Sequence, residues 1–252
     1  MGNLYNALGF EASDRKEFER LVRRAARSGN PAGKSGKFHY VLWTPGEGIE
    51  LWVLMTAQET IVGCNPFFSG LGRMRMGVMQ VAETPNRPTD GFFQGWANPE
   101  TGHTDLGLYP FAVSVPDFQL VRDKVLVSSI IQIQVCAFAD SLHCYQDDDE
   151  FHRRTAGEGE SQLGTEAFIP VGVLDETSGR PRAEVVFTGH IQSAEIRVNP
   201  VTNRKFHALV VQTLGGVVDV AADPSTVTGL PGAGGVVYGT FWLAGHLLGM
   251  GV

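Results

Sequence analysis

Hydrophobic positions follow two periods along this chain, and the change from one to the other marks its first boundary. Over residues 13–28, Phe18, Leu21, Val22 and Ala25 recur at helical spacing, while Arg20, Arg23, Arg24 and Arg27 fill the remaining surface. Asp14 followed by Glu17 has the spacing of an N-terminal cap, and Gly29 then Pro31 stop the run, so one amphipathic helix is predicted. From Lys37 the period falls to two. Residues 38–43 and 49–55 flank Pro45-Gly46-Glu47-Gly48, which predicts a hairpin. Over residues 72–81, Arg73 and Arg75 alternate with a core row of Met74, Met76 and Val78. Residues 84–110 carry Pro85, Pro88, Pro99 and Pro110 and read as loop-rich, with a turn at residues 98–102 whose chemistry returns at residues 199–203 as turn usage, not as a repeat. Val125, Val127, Ile131, Ile133, Val135 and Ala137 share one face and predict the strongest core strand, over residues 125–138. A polar loop through Gly164, an edge strand over residues 168–174 and a linker over residues 175–182 complete this part.

The C-terminal stretch has its own order. A long strand over residues 185–198 has Gly189 at a position suited to a bend, and a turn at residues 199–203 leads into residues 206–213. Gly215-Gly216 turns the chain into residues 217–222, a Gly/Pro-rich connector follows to Gly235, and residues 236–248 close the segment. On Phe187-Thr188-Gly189-His190-Ile191, on Val210 to Val220 around Gly215-Gly216, and on Gly239 to Gly245, the segment resembles the oligonucleotide/oligosaccharide-binding (OB) barrel. The resemblance covers about a quarter of the chain and lies at the level of fold. The expected class is therefore α+β and β-dominated. An N-terminal helix and hinge occupy residues 1–36, a larger mixed or antiparallel β domain residues 37–178, and an OB-like five-stranded barrel residues 183–252.

Composition and charge narrow the functional classes. The 31 glycines sit singly between β-branched and aromatic runs, as all-β turns require. Cys64, Cys136 and Cys144 have neither disulfide-framework nor zinc-ribbon spacing. No apolar stretch reaches transmembrane length and the first ten residues are unlike a signal peptide, so a cytoplasmic location without membrane contact is expected. The net charge of −7 is uneven: +4 over residues 1–37, −10 over residues 38–182 and −1 over residues 183–252. An acidic body repels phosphate backbones, which disfavours nucleic acid as a general partner.

The candidate chemistry is sparse. Gly29 to Ser35 has the flavour of a phosphate-binding loop but has one residue too few between its glycines and follows a helix, not a strand. His143, Asp147, Asp148 and His152 form the densest potential metal set if the segment is helical. The resemblance to an OB barrel implies a ligand face offering Arg197, Arg204, Lys205, His207 and Trp242. Phe18, Leu21, Val22 and Arg23 on the basic helix are the candidates for self-association, since a +4 terminus and a −10 body attract one another between copies. No nucleophile elbow, metalloprotease signature or dinucleotide fingerprint is present, and no cofactor is expected. The leading expectation is a non-enzymatic binding or assembly protein, homo-oligomeric or bound to a protein partner. A metal-assisted hydrolase using residues 143–152 is one alternative. A single-stranded nucleic-acid binder using the barrel is the other.

Overall fold

The helical stripe and the alternating runs behind it both become regular structure. A computed structural model describes residues 4–11, 14–84, 87–100, 102–156, 163–171 and 182–251. Helix α1 is Arg15–Ser28. The Asp14 side chain accepts a hydrogen bond from the Glu17 N–H at 2.8 Å, pairing one of the donors that a helix start leaves without an intrahelical partner. Val22 and Ala25 are buried, and Phe18 and Leu21 pack beside them in a core shared with an antiparallel meander. That meander comprises β1 (Asn30–Ser35), β2 (Phe38–Gly46), β3 (Ile49–Thr56) and β4 (Ile61–Phe68) in sequence order.

Two expectations change here. The helix face of Phe18, Leu21 and Val22, expected to meet a second subunit, is used within its own chain, and Arg23 lies 3.4 Å from Glu19 on the helix surface. The expected hinge after Gly29 is instead β1, paired with β2, so no slack lets the helix swing outward. An apolar stripe buries against the nearest apolar sheet because each Å² removed from water is worth about 25 cal/mol.

The other strands are β5 (Met74–Thr84), β6 (Arg87–Ala97), β7 (Pro110–Val115), β8 (Ile130–Tyr145), β9 (Phe168–Val171), β10 (Glu184–Val198), β11 (Lys205–Thr213), β12 (Gly216–Ala222), the two-residue β13 (Val227–Thr228) and β14 (Val236–Met250). Two short helices join them, α2 (Phe118–Val121) and α3 (Asp148–Thr155). Their pairings close on themselves twice. One ring runs β5-β6-β7-β14-β8 and back to β5. The other runs β10-β11-β12-β8-β14 and back to β10. Both contain β8 and β14, and both follow one plan. A three-strand antiparallel meander comes first, then a strand antiparallel to its first member, then a closing strand parallel to its third. In the first ring β8 is fourth and β14 closes; in the second the roles exchange.

The five-stranded barrel expected within residues 183–252 therefore does not close on those residues alone. Four strands come from there and the fifth is β8, from the region assigned to the preceding domain. β12 and β14 would otherwise expose rows of unpaired N–H and C=O groups, and β8 satisfies both. The interior confirms the union: buried residues from Met74 to Leu142 and from Val185 to Leu243 form one cluster. Stacked rings run through it, with centroid separations of 4.3 Å for Tyr109–Phe168, 5.8 Å for Phe168–Phe187 and 3.9 Å for Phe187–Phe241.

Smaller differences have local causes. β8 begins at Ile130, not Val125, because Ser128 adopts φ 63° in a turn that leaves Leu126 and Val127 exposed. β8 then continues through His143. The expected loop-rich stretch contains the eleven-residue β6. The end of the predicted edge strand, residues 172–174, and linker residues 175–181 lie outside the described residues. No helix among the described residues is long and apolar enough to cross a membrane.

The connector from the meander to the rings is fastened by Asp219 on β12, which is fully buried. Its carboxylate accepts hydrogen bonds from the Leu71 and Gly72 N–H groups, both at 2.8 Å, and from Gln134 Nε2 at 3.2 Å. Gly70 is required beside it, since a Cβ there would lie 2.4 Å from Asp219 Oδ1. Asp219→Ala strands two backbone donors and is expected to cost about 2–5 kcal/mol in denaturant unfolding, with Asp219→Asn losing less. The shared strand gives a second expectation. A fragment of residues 183–251 should show the amide spectrum of an unfolded chain. Joining residues 130–146 after Gly251 by a short turn should restore dispersion, because Met250 already lies opposite Ile131. A lone fragment that folds would refute the shared ring.

Candidate functional site

A polar concavity lies on the outer face of the first ring, where β6, β7 and β14 run side by side. Phe92 on β6 is paired across the strands with Ser114 on β7, and Ser114 with Ala244 on β14. Trp242 lies two residues before Ala244 and so points to the same face. Its indole Nε1 donates to Ser114 Oγ at 2.9 Å, and that hydroxyl donates to the Leu243 carbonyl at 2.9 Å. The Phe92 and Trp242 rings meet edge to face at 6.1 Å. Gly91 lets the floor form: a Cβ there would lie 2.3 Å from the Phe118 ring, which packs beneath.

β4 of the meander supplies the opposite wall. Asn65 and Pro66 face Arg87, Asp90 and Phe92 across a cavity of about 270 Å³, with Leu4 and Thr84 also in its lining. Asn65 Nδ2 donates weakly to Asp90 Oδ1 at 3.5 Å and to the Pro116 carbonyl at 3.4 Å. Burial raises the Asp90 pKa above its ordinary value, while the Asn65 hydrogen bond and the charge of Arg87 pull it the other way. The site thus combines two aromatic rings, a partly desolvated carboxylate with weak donors, and an amide.

The sequence-predicted sites disperse. Arg197 donates to Glu195 at 3.0 Å and to the Glu47 carbonyl at 3.1 Å and lies over the Phe68 ring; Arg204 lies 2.8 Å from Glu11. Lys205 opens β11, and His207 is half-buried, its pKa lowered by that burial. Trp242 does not join these four; its contacts are those of the β6–β7 cavity. The metal set separates because the segment is not one helix. His143 is on β8 and stacks on Tyr238 at 6.1 Å, Asp147 caps α3 by accepting from the Glu150 N–H at 2.7 Å, and Asp148 is paired with His190. His152, on α3, lies against the Phe151 ring. Among the described residues no group of three or more His, Cys, Asp or Glu side chains is arranged to hold a metal ion. The stretch Gly29 to Ser35 is extended as β1 and forms no phosphate loop.

Asp90, Asn65, Phe92 and Ser114 escaped the sequence reading. They come from three strands and have no common spacing; the acid before Gly91-Phe92-Phe93 in an apolar run was the one local signal. Comparison with protein-family models, curated proteins and solved structures finds no match.

A second polar feature is structural. His190, on β10, lies 2.9 Å from Asp148 Oδ1 through Nε2 and 3.2 Å from Glu166 Oε1 through Nδ1, tying α3 and the segment before β9 to β10. Burial disfavours its cation, but the hydrogen bonds and charges of Asp148 and Glu166 outweigh this and raise its pKa. A raised folded pKa stabilises fully below the unfolded histidine pKa of about 6.5 and is lost as pH rises through the folded value. The difference in melting temperature between the parent and His190→Gln is therefore expected to shrink from pH 5.5 towards about pH 8. A difference that is constant or grows over that range would show that His190 is not held as a cation.

Proposed function

We propose that this protein is a non-enzymatic binding protein built on two interlocked OB-type barrels, and that it holds a protein partner at the β6–β7 cavity. In an OB barrel the face of the second and third strands carries the ligand. The two rings here treat that face differently, and this carries the reading. In the second ring it is β11–β12, and its outward Phe206, Ala208 and Ala221 are buried in the core shared with the meander. In the first ring it is β6–β7, and it is left as an open cavity edged by β4. A partly enclosed, mostly apolar recess with a few convergent polar groups is the usual form of a recognition site.

A polypeptide suits the cavity better than a nucleic-acid strand. Among the described residues its lining holds one guanidinium, Arg87, whose charge lowers the Asp90 pKa, and Arg197 and Arg204 on the β10–β11 hairpin are already paired with acids of this chain. A phosphate backbone would find few free cations and an acidic body. Three free cysteines suit a cytoplasmic setting.

Peptides selected from a random displayed library against the full chain test this reading. Binders should lose at least about tenfold in affinity when Thr84→Trp fills the mouth, equivalent to about 1.4 kcal/mol. They should be indifferent to Leu230→Ala, an exposed change on the β12–β14 connector outside the cavity lining. Binders that ignore Thr84→Trp, or single-stranded oligonucleotides binding more tightly than any peptide, would overturn it.

A further inference from the structure

Asp90 narrows what the cavity can accept. The carboxylate is partly withdrawn from solvent, yet among the described residues its one hydrogen bond is the 3.5 Å contact from Asn65. The Pro116 carbonyl, receiving the same amide at 3.4 Å, is similarly underused. Both are acceptors, and the cationic donor in the described lining, Arg87, makes no ion pair with Asp90 among the described residues. An aliphatic or aromatic side chain entering it would complete the burial of Asp90 without pairing it, which costs more than the apolar contact returns. A phosphate or carboxylate would add like charge.

Resting on the reading of this cavity as the binding site, we propose that it receives the side chain of an arginine in a basic segment of the partner. The guanidinium is a planar fork of donors that fits a carboxylate through two hydrogen bonds and lies flat against aromatic rings. Asp90 accepts the fork, the Pro116 carbonyl takes a further N–H, and Phe92 and Trp242 supply the ring faces. The methylene stem runs along Leu4, Pro66 and Val115, which line the same space. A lysine is a poorer fit, because its ammonium is compact, more strongly hydrated and unable to stack or fork. The net −10 of residues 38–182 favours approach of a basic segment. Arg87 sits at the rim without an ion pair to Asp90 among the described residues, near enough to lower the Asp90 pKa. It acts as an internal competitor that limits affinity.

The test uses the full chain and short capped peptides of glycine flanking one arginine, lysine or citrulline. Calorimetry and the indole N–H resonance of Trp242 report binding. The arginine peptide should bind and shift that resonance. The citrulline peptide, same in shape but uncharged, should bind at least about tenfold more weakly, the scale of hydrogen bonds to a charged group. Asp90→Asn should remove a similar factor, and Arg87→Ala should strengthen binding severalfold, with thermal unfolding confirming that both variants fold. Equal binding of arginine and citrulline peptides, or arginine binding that survives Asp90→Asn, would overturn the proposal. If the arginine peptide fails while library-selected peptides still depend on Thr84, the cavity remains the binding site and the arginine assignment alone falls. If neither depends on the cavity, both readings fall.

Discussion

The β8–β14 ladder is the constraint from which the rest of this structure follows. The two strands face one another at fourteen positions, from Val236 opposite Tyr145 to Met250 opposite Ile131. Each is long enough that one stretch serves one ring and another stretch the second. β8 gives Ile130 to Ile133 to β5 and Cys136 to Phe138 to β12. β14 gives residues 236–242 to β10 and meets β7 at Ala244. Unpairing either strand would open both rings and expose the edge of every strand it pairs with. The pair is separated in sequence by about ninety residues, so ring closure has to wait for a contact of high sequence separation, which slows folding.

The same ladder decides which surfaces remain for binding. Its outward side chains between the rings are small or fitted: Cys136, Ala244 and Phe138 join Ala208 and Ala221 under the four-stranded meander. Small side chains let a sheet approach closely, and here they admit Tyr40, Trp43, Trp52 and Phe67 from the meander. Covering the second ring in this way leaves the meander's last strand, β4, overhanging the first ring. The cavity is the gap between that overhang and β6–β7. One docking event thus closes one face and shapes the other.

The sequence made local structure readable and long-range pairing unreadable, for a definite reason. Periodicity reports which face of a strand is apolar, so α1 with its Asp14 cap, the hairpin after Pro45 and the order β10-β11-β12-β14 are visible in the residues themselves. It does not report the neighbour at an edge. Nothing in Val125 to Phe138 tells that this strand closes a barrel begun sixty residues later. The repeated topology of the two rings leaves no repeated residues, and the turns of similar chemistry occupy different places in the plan: residues 98–102 follow β6, residues 199–203 follow β10. The four acids from Asp147 to Glu150 looked like ligands because sequence shows proximity without direction. In the fold Asp147 caps a helix and Asp148 turns to His190. Asp90 went unnoticed because its meaning lies in having no strong donor among the described residues, and that is a property of the packed environment alone.

Sharing strands between rings also fixes the cavity before any partner arrives. A wall that moves on binding loses part of the interaction energy to ordering, and a rigid one does not. Trp242 and Ala244 belong to β14, which is hydrogen-bonded to β8 along its length and to β10 over residues 236–242. Shifting the Trp242 ring by moving its backbone would strain both rings, while its indole is held separately by Ser114 on β7. The strand just before Phe92 is packed at Gly91 against the Phe118 ring. The aromatic part of the site is therefore preorganised on strands. On the proposed reading, affinity rests on the fixed rings and Asp90, and selectivity on how well an incoming donor displaces the weak bonds that Asn65 makes.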